Sequence, residues 1–149
     1  MSMLHISDTI EHELTLPASP EVVWEKSFAT PAALASWFPE RVDGEFSQGS
    51  QAFFNWGEHR CEVRIVEYVP GSVLAYQWHP GDAYMLGDQP EDELTTVRFT
   101  LSAVEGGTLV RMVESGFSKI AESRAAHALG ENTKGWAEEL AKLPLGYSA

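Results

Sequence analysis

Apolar and polar residues alternate near the start of the chain. Ile10, Leu14 and Leu16 are separated by polar side chains such as Glu11 and Thr15. A period of two is typical of a strand with one face toward the core and one toward water. His12 falls in the apolar phase, so the pattern predicts a half-buried strand that carries one histidine on its inner face.

Two short helices are predicted directly after this strand. Ser19-Pro20-Glu21 combines a helix-capping serine, a proline at the first helical position and an acid in the first turn. Thr30-Pro31 gives the same signal again, and Pro39 ends the second helix. We therefore expect a strand followed by two helices.

From Arg41 onward the chain consists of short β-like runs separated by Gly, Pro and Asn. The predicted strands cover residues 41–46, 51–56, 60–69, 73–79, 94–103 and 108–114. Pro70-Gly71 and Gly106-Gly107 are turn signals between neighbouring runs. Because the connections are short, the pattern indicates an antiparallel meander.

One face of this meander is rich in large aromatic residues. Alternation places on it Ala52, Phe54, Trp56, Leu74, Tyr76, Trp78, Val97, Phe99, Leu101, Val110, Met112 and Glu114. The single carboxylate among them, Glu114, stands just before Gly116. It is either a group that works in a pocket or a structural carboxylate that accepts backbone N–H groups at the bend.

The remaining segments are a loop and a helical end. Residues 80–93 hold five acids and no base, which predicts a solvated loop or lid. Beyond it, Ser118 is expected to cap a helix that runs to Ala128 and breaks at Gly130. A terminal helix follows, with Trp136, Leu140 and Leu143 at helical spacing, and it ends at Pro144. The whole pattern predicts an α+β fold of one domain, residues 1–149, in which the terminal helix covers a curved sheet of about seven strands.

Composition narrows the possible functions. Of the 149 residues 44% are hydrophobic, which is ample material for a packed core, and the formal net charge is −12. Such an acidic chain repels phosphate backbones and anionic membrane surfaces, so neither nucleic acid nor membrane is an expected partner. Cys61 is a lone cysteine, and the chain shows no signal-peptide pattern, so we expect a cytoplasmic protein.

Several spaced segments resemble a known family. "LTLPASPEVVWEKSFATPAALASWF", "GTLVRMVESGF" and "NTKGWAEELAKL" are similar to segments of the START-like (SRPBCC) helix-grip superfamily, in the branch of the activator of heat shock protein 90 ATPase homologues. The resemblance implies a helix-grip fold. It is weaker for function, because this superfamily includes lipid carriers, cyclases, hormone receptors and chaperone activators.

The leading hypothesis is a domain that binds a small apolar or aromatic molecule between the sheet and the terminal helix. The candidate ligand-binding residues are Phe54, Trp56, Tyr76, Trp78, Phe99, Met112, Glu114, Trp136 and Leu140. An alternative is a cyclase- or dehydratase-like enzyme that uses Glu114 or His12 as acid or base. A second alternative is an interaction module that contacts a chaperone, and a homodimer is also open.

No metal or cofactor is expected. His59 and Cys61 share a strand face but have no second pair of ligands nearby in the sequence, and residues 82–93 lack the spacing of a calcium loop. The acid-rich loop is therefore interpreted as solvated rather than metal-binding.

Overall fold

The computed structural model describes residues 7–147, and its centre is a seven-stranded antiparallel sheet. The strand order across the sheet is β1-β7-β6-β5-β4-β3-β2. The strands are β1 (Thr9–Leu16), β2 (Arg41–Gly44), β3 (Gln51–Trp56), β4 (His59–Val69), β5 (Val73–Trp78), β6 (Thr95–Val104) and β7 (Gly107–Ser115). Every strand from β2 to β7 pairs with its sequence neighbour, and β1 returns to pair with β7.

The predicted aromatic face is the buried face of the sheet. One row of paired residues crosses the sheet from β5 to β1. It consists of Tyr76, Val97, Glu114 and Ile10, each opposite the next. All four side chains are buried. The register is continuous along β7, so Glu114 keeps the inward phase that alternation predicts.

The two short helices are α1 (Pro20–Ser27) and α2 (Pro31–Leu34). The Ser19 hydroxyl accepts the N–H of Val22, and the Thr30 hydroxyl accepts the N–H of Ala33. Both caps are those that the sequence predicts, and they satisfy backbone donors that a helix start leaves free.

The C-terminal part differs from the prediction. A single helix, α3 (Glu122–Leu140), replaces the two predicted helices and passes through Gly130 without a break. Gly130 is exposed, and a glycine inside a helix costs only about 1 kcal/mol relative to alanine, which packing of the rest of the helix offsets. Ser118 does not cap it, because its N–H and hydroxyl both donate to Asp8.

Helix α3 lies across the buried face and closes the core. Its Trp136 ring is 4.9 Å from Phe38, 5.8 Å from Phe99 and 6.1 Å from Trp78, measured between ring centroids. The α+β helix-grip fold is therefore confirmed. Within residues 7–147, the helices are too short or too polar to cross a bilayer.

The acid-rich loop, residues 80–93, is held to the sheet more closely than the predicted solvated loop or lid. The N–H of Glu62 donates to the carbonyl of Tyr84, and the N–H of Leu86 donates to the Glu62 carboxylate. The Leu86 side chain is buried, whereas the acids Asp82, Asp88, Glu91 and Asp92 face solvent. The loop is thus fastened to β4 while four of its five acids stay exposed; the fifth, Glu93, forms an ion pair with Arg124.

Candidate functional site

Glu114 is the centre of a buried polar cluster. Its side chain is fully buried, and it accepts five hydrogen bonds from four side chains. The donors are Trp78 Nε1 (2.8 Å), Thr95 Oγ1 (2.5 Å), Asn132 Nδ2 (2.9 and 3.0 Å) and Trp136 Nε1 (2.8 Å). We call these five residues the carboxylate cluster. Within residues 7–147 every donor to Glu114 is a side chain, so the alternative that backbone N–H groups at the bend hold this carboxylate is wrong.

The cluster joins Glu114 of β7 to three other elements of the fold, β5, β6 and α3. Trp78 of β5 and Thr95 of β6 stand opposite each other in the sheet, so their side chains reach the same carboxylate. Asn132 and Trp136 are four residues apart on α3 and therefore share a helix face. The carboxylate thereby fastens the terminal helix to the sheet.

The orientation of the Asn132 amide follows from its surroundings. Its Oδ1 accepts the N–H of Gly81 at 3.1 Å, which directs Nδ2 toward Glu114. Gly81 has φ +96°, and a Cβ at that position would lie 2.8 Å from the Cα of Ala128. Only glycine therefore lets the loop approach α3 closely enough to make this bond.

Burial and hydrogen bonding act in opposite directions on Glu114. Burial raises the pKa of the carboxyl above its usual value, because the charged form loses its hydration. The bonds from Thr95, Trp78, Asn132 and Trp136 each favour the charged form and reduce that rise. Both oxygens are occupied, so a ligand could bond to Glu114 only by displacing one of these donors.

A cleft of about 300 Å³ opens beside the cluster, at the end of the sheet where β3 and β5 stop. We call it the tryptophan cleft. It is lined by Trp56, His59, Cys61, Trp78, His79, Pro80, Gly81, Asp82, Ala83, Glu131 and Asn132. Trp56 ends β3 and Trp78 ends β5, the strands on either side of β4, and the centroids of their indole rings are 6.5 Å apart. A smaller cleft of about 70 Å³ shares Trp78, Glu131 and Asn132 and includes Trp136.

Two ionisable residues that line the tryptophan cleft are themselves buried. His79 is 1% exposed; its Nε2 lies 2.9 Å from the carbonyl oxygen of Leu86, and its Nδ1 has no partner within the described residues. Burial raises the pKa of the Cys61 thiol to about 12, so the sulfur is a neutral thiol at physiological pH. Among residues 7–147, no three His, Cys, Asp or Glu side chains group closely enough to hold a metal ion.

Comparison with known proteins places the chain in a family. Residues 17–144 match the family of Activator of Hsp90 ATPase homolog 1-like proteins. The chain belongs to this family. A search among curated proteins gives no match.

Solved structures show the same fold. The Aha1 dimer from Colwellia psychrerythraea is 23% identical, with 93% of this chain and 95% of that chain covered and a TM-score of 0.72. Protein MLL2253 from Mesorhizobium loti is 24% identical, with coverages of 92% and 94% and a TM-score of 0.72. CalU16 from Micromonospora echinospora is 21% identical, with coverages of 94% and 76% and a TM-score of 0.65. At these identities the likeness concerns the fold.

The candidate residues from the sequence fall into three groups in this family member. Trp56, Trp78 and Trp136 line a cleft. Buried in the core, and lining neither of the two clefts, are Phe54, Tyr76, Phe99, Met112 and Leu140. The Tyr76 hydroxyl is buried without a partner among the described residues, and burial raises its pKa well above the usual value. Glu114 belongs to the carboxylate cluster.

His12 does not join Glu114. It is half-buried and stands opposite Met112, one inward position along β1 from Ile10, the residue opposite Glu114. The two side chains share a sheet face, but no hydrogen bond connects them in the described part of the chain, and His12 lines neither cleft. The structure therefore does not assemble the acid/base pair that the sequence left open.

Three residues of the site escaped sequence reasoning: Thr95, Asn132 and His79. Asn132 carried a usable signal, because it precedes Trp136 by four residues and therefore shares its helix face. Thr95 lies in the same strand phase as Val97 and could have been assigned to the inner face. His79 gave no such signal, since its burial depends on the loop that follows it.

Proposed function

We propose that this domain binds a small aromatic or apolar molecule in the tryptophan cleft. The observation that carries the proposal is the cleft itself, about 300 Å³ in volume and walled by the indole rings of Trp56 and Trp78. Binding pockets for small molecules begin at roughly this size and combine aromatic walls with a few polar groups. Flat rings stack favourably on indole rings, and that of Trp56 is only half-buried.

In this proposal the ligand lies at one end of the sheet rather than against its central aromatic face. Phe28, Trp37, Phe38 and Trp136 pack against the central aromatic face, which leaves the rings of Phe99 and its neighbours in contact with protein rather than with a cavity. The ligand therefore lies at the strand ends, against Trp56 and Trp78. Glu114 supports the wall by holding Trp78 and Asn132 and does not itself contact the ligand.

The other hypotheses receive less support. An acid or base needs a free position to exchange a proton with a substrate, and both oxygens of Glu114 are occupied by side-chain donors. A chaperone partner and a homodimer stay predictions. The Colwellia structure is a dimer, and the family is described by its likeness to an activator of the Hsp90 ATPase.

Native mass spectrometry of the protein, purified gently from its own host, tests the proposal. We expect a mass above that of the bare chain, from one bound small molecule. Ala83 lines the cleft and is half-buried, so Ala83→Phe would fill part of the cleft and is expected to remove the added mass. The proposal fails if Ala83→Phe retains the added mass.

The matched control is Ala137→Phe. Ala137 is exposed on α3 and lines neither cleft, so this variant adds the same ring elsewhere and should retain the ligand. Circular dichroism confirms that both variants are folded. A bare-chain mass for the wild-type protein, together with no change in the tryptophan fluorescence on addition of aromatic probes, would also contradict the proposal.

A further inference from the structure

We infer that the ligand of the tryptophan cleft is an organic cation, an ammonium group attached to an aromatic or apolar body, and that anionic ligands are rejected. This inference rests on the proposed function and specifies its ligand class. It follows from the hydrogen-bond donors, the acceptors and the charges that line the cleft.

Three polar N–H groups in the lining already have partners, whereas the indole N–H of Trp56 has none among the described residues. Trp78 Nε1 and Asn132 Nδ2 both donate to Glu114, and the N–H of Gly81 donates to Asn132 Oδ1. An anion entering the cleft needs hydrogen-bond donors to replace its hydration. These three groups are committed to the fold and cannot supply them.

The acceptor side is different. His79 Nε2 faces the carbonyl oxygen of Leu86, and because a carbonyl only accepts, this nitrogen carries the hydrogen. In neutral His79 the buried Nδ1 is then an acceptor without a donor among the described residues. Neutral His79 therefore has no free donor with which to hold an anion, because its Nε2–H is bonded to Leu86 and its Nδ1 carries no hydrogen.

The charges of the lining point the same way. Asp82 and Glu131 line the cleft and are exposed, and neither forms a salt bridge within residues 7–147. The remaining ionisable lining residues are His59, His79 and Cys61, so in the described part of the chain no Lys or Arg lines the cleft. Acids at a cleft of low polarity attract cations, and the half-buried indole ring of Trp56 adds cation–π attraction.

Three probes of one shape test the inference: 2-phenylethylamine, 2-phenylethanol and phenylacetate carry positive, zero and negative charge at pH 7. Their affinities are measured on the full chain through the indole N–H resonances of Trp56 and Trp78 in the ¹⁵N-labelled protein. We expect the amine to bind about tenfold more tightly than the alcohol and the acetate to bind weakest.

Neutralising the two acids of the cleft tests the effect of charge while keeping nearly the same side-chain shape. We expect Asp82→Asn/Glu131→Gln to weaken amine binding about two- to tenfold, since each exposed charge contributes modestly, and to leave the alcohol unchanged. The control Asp92→Asn/Glu138→Gln removes the same two charges from exposed positions outside the clefts and should change neither.

The outcomes distinguish the two proposals. Acetate binding as tight as amine binding, or an equal loss of amine binding in both double variants, overturns the inference while the proposed function stands. Failure of all three probes to shift the Trp56 and Trp78 resonances overturns both.

Discussion

The carboxylate cluster and the tryptophan cleft lie side by side and share Trp78 and Asn132, yet their polar groups are satisfied very differently. In the cluster a fully buried carboxylate has four side-chain donors and both of its oxygens are occupied. In the lining of the cleft, Nδ1 of His79 has no partner among residues 7–147, and the two carboxylates of Asp82 and Glu131 face solvent. The number of partners, rather than the residue type, distinguishes the part that holds the fold from the part open to a ligand.

The difference has an energetic basis. A buried charge without partners is costly, so an acid in the core persists only where donors surround it. An exposed acid pays no such cost and is free to attract a ligand. Glu114 and Glu131 are the same residue type, and they lie on opposite sides of this division.

The largest expected effect comes from removing the centre of the cluster. Glu114→Ala leaves the N–H groups of Trp78, Trp136 and Asn132 buried without an acceptor, so we expect the free energy of unfolding to fall by about 3–5 kcal/mol. Glu131→Ala, at the cleft, should change it by less than about 0.5 kcal/mol. Urea unfolding followed by circular dichroism measures both. Equal losses would remove the distinction between the two regions.

The two tryptophans of the cleft allow a finer comparison. Trp78→Phe removes one donor to a buried carboxylate and should lower the free energy of unfolding by about 1.5–3 kcal/mol. The indole N–H of Trp56 makes no hydrogen bond within the described part of the chain, and its ring is half-buried, so Trp56→Phe should cost less than about 1 kcal/mol. The same urea titrations compare them. A larger loss of unfolding free energy for Trp56→Phe would show that Trp56, and not Trp78, has the structural role.

Much of the fold could be predicted because its signals are local. The strand bounds agree with the sequence patterns to within about two residues, since alternation and glycine or proline turns are read from neighbouring residues. The inward position of Glu114 followed from the same alternation. The prediction was wrong at Gly130, where packing of α3 on the sheet outweighs the weak helix propensity of one glycine.

The candidate site was harder to predict because its partners are distant in the sequence. Glu114 meets Trp78, Thr95 and Asn132 only through the strand register and the position of α3. The cleft depends on how the chain turns after Trp78 and on the contact of Gly81 with the helix. No local pattern specifies either arrangement, so the aromatic face could be predicted but not the place where it stays open.

The smallest expected effect is a change with pH in the free energy of unfolding that is due to the Glu114 carboxyl alone. Burial raises the folded-state pKa of Glu114, so its contribution to stability is fully present below its unfolded-state value of about 4.5 and is lost as the pH rises through the folded-state pKa. The stability advantage of the wild type over Glu114→Gln should therefore shrink as the pH rises, because all other groups titrate alike in both proteins. Urea unfolding at several pH values from 4 to 8 measures this difference.

Asp8 provides a control of opposite sign. Hydrogen bonds from Ser118 lower the pKa of its carboxyl, so its contribution is present above the unfolded-state value of 3.8 and is lost as the pH falls. The advantage of the wild type over Asp8→Asn should therefore grow as the pH rises from 3 to 5. If the Glu114→Gln difference grew with pH in the same way, the folded-state pKa of Glu114 would lie below its unfolded-state value, and the donors rather than burial would dominate at Glu114.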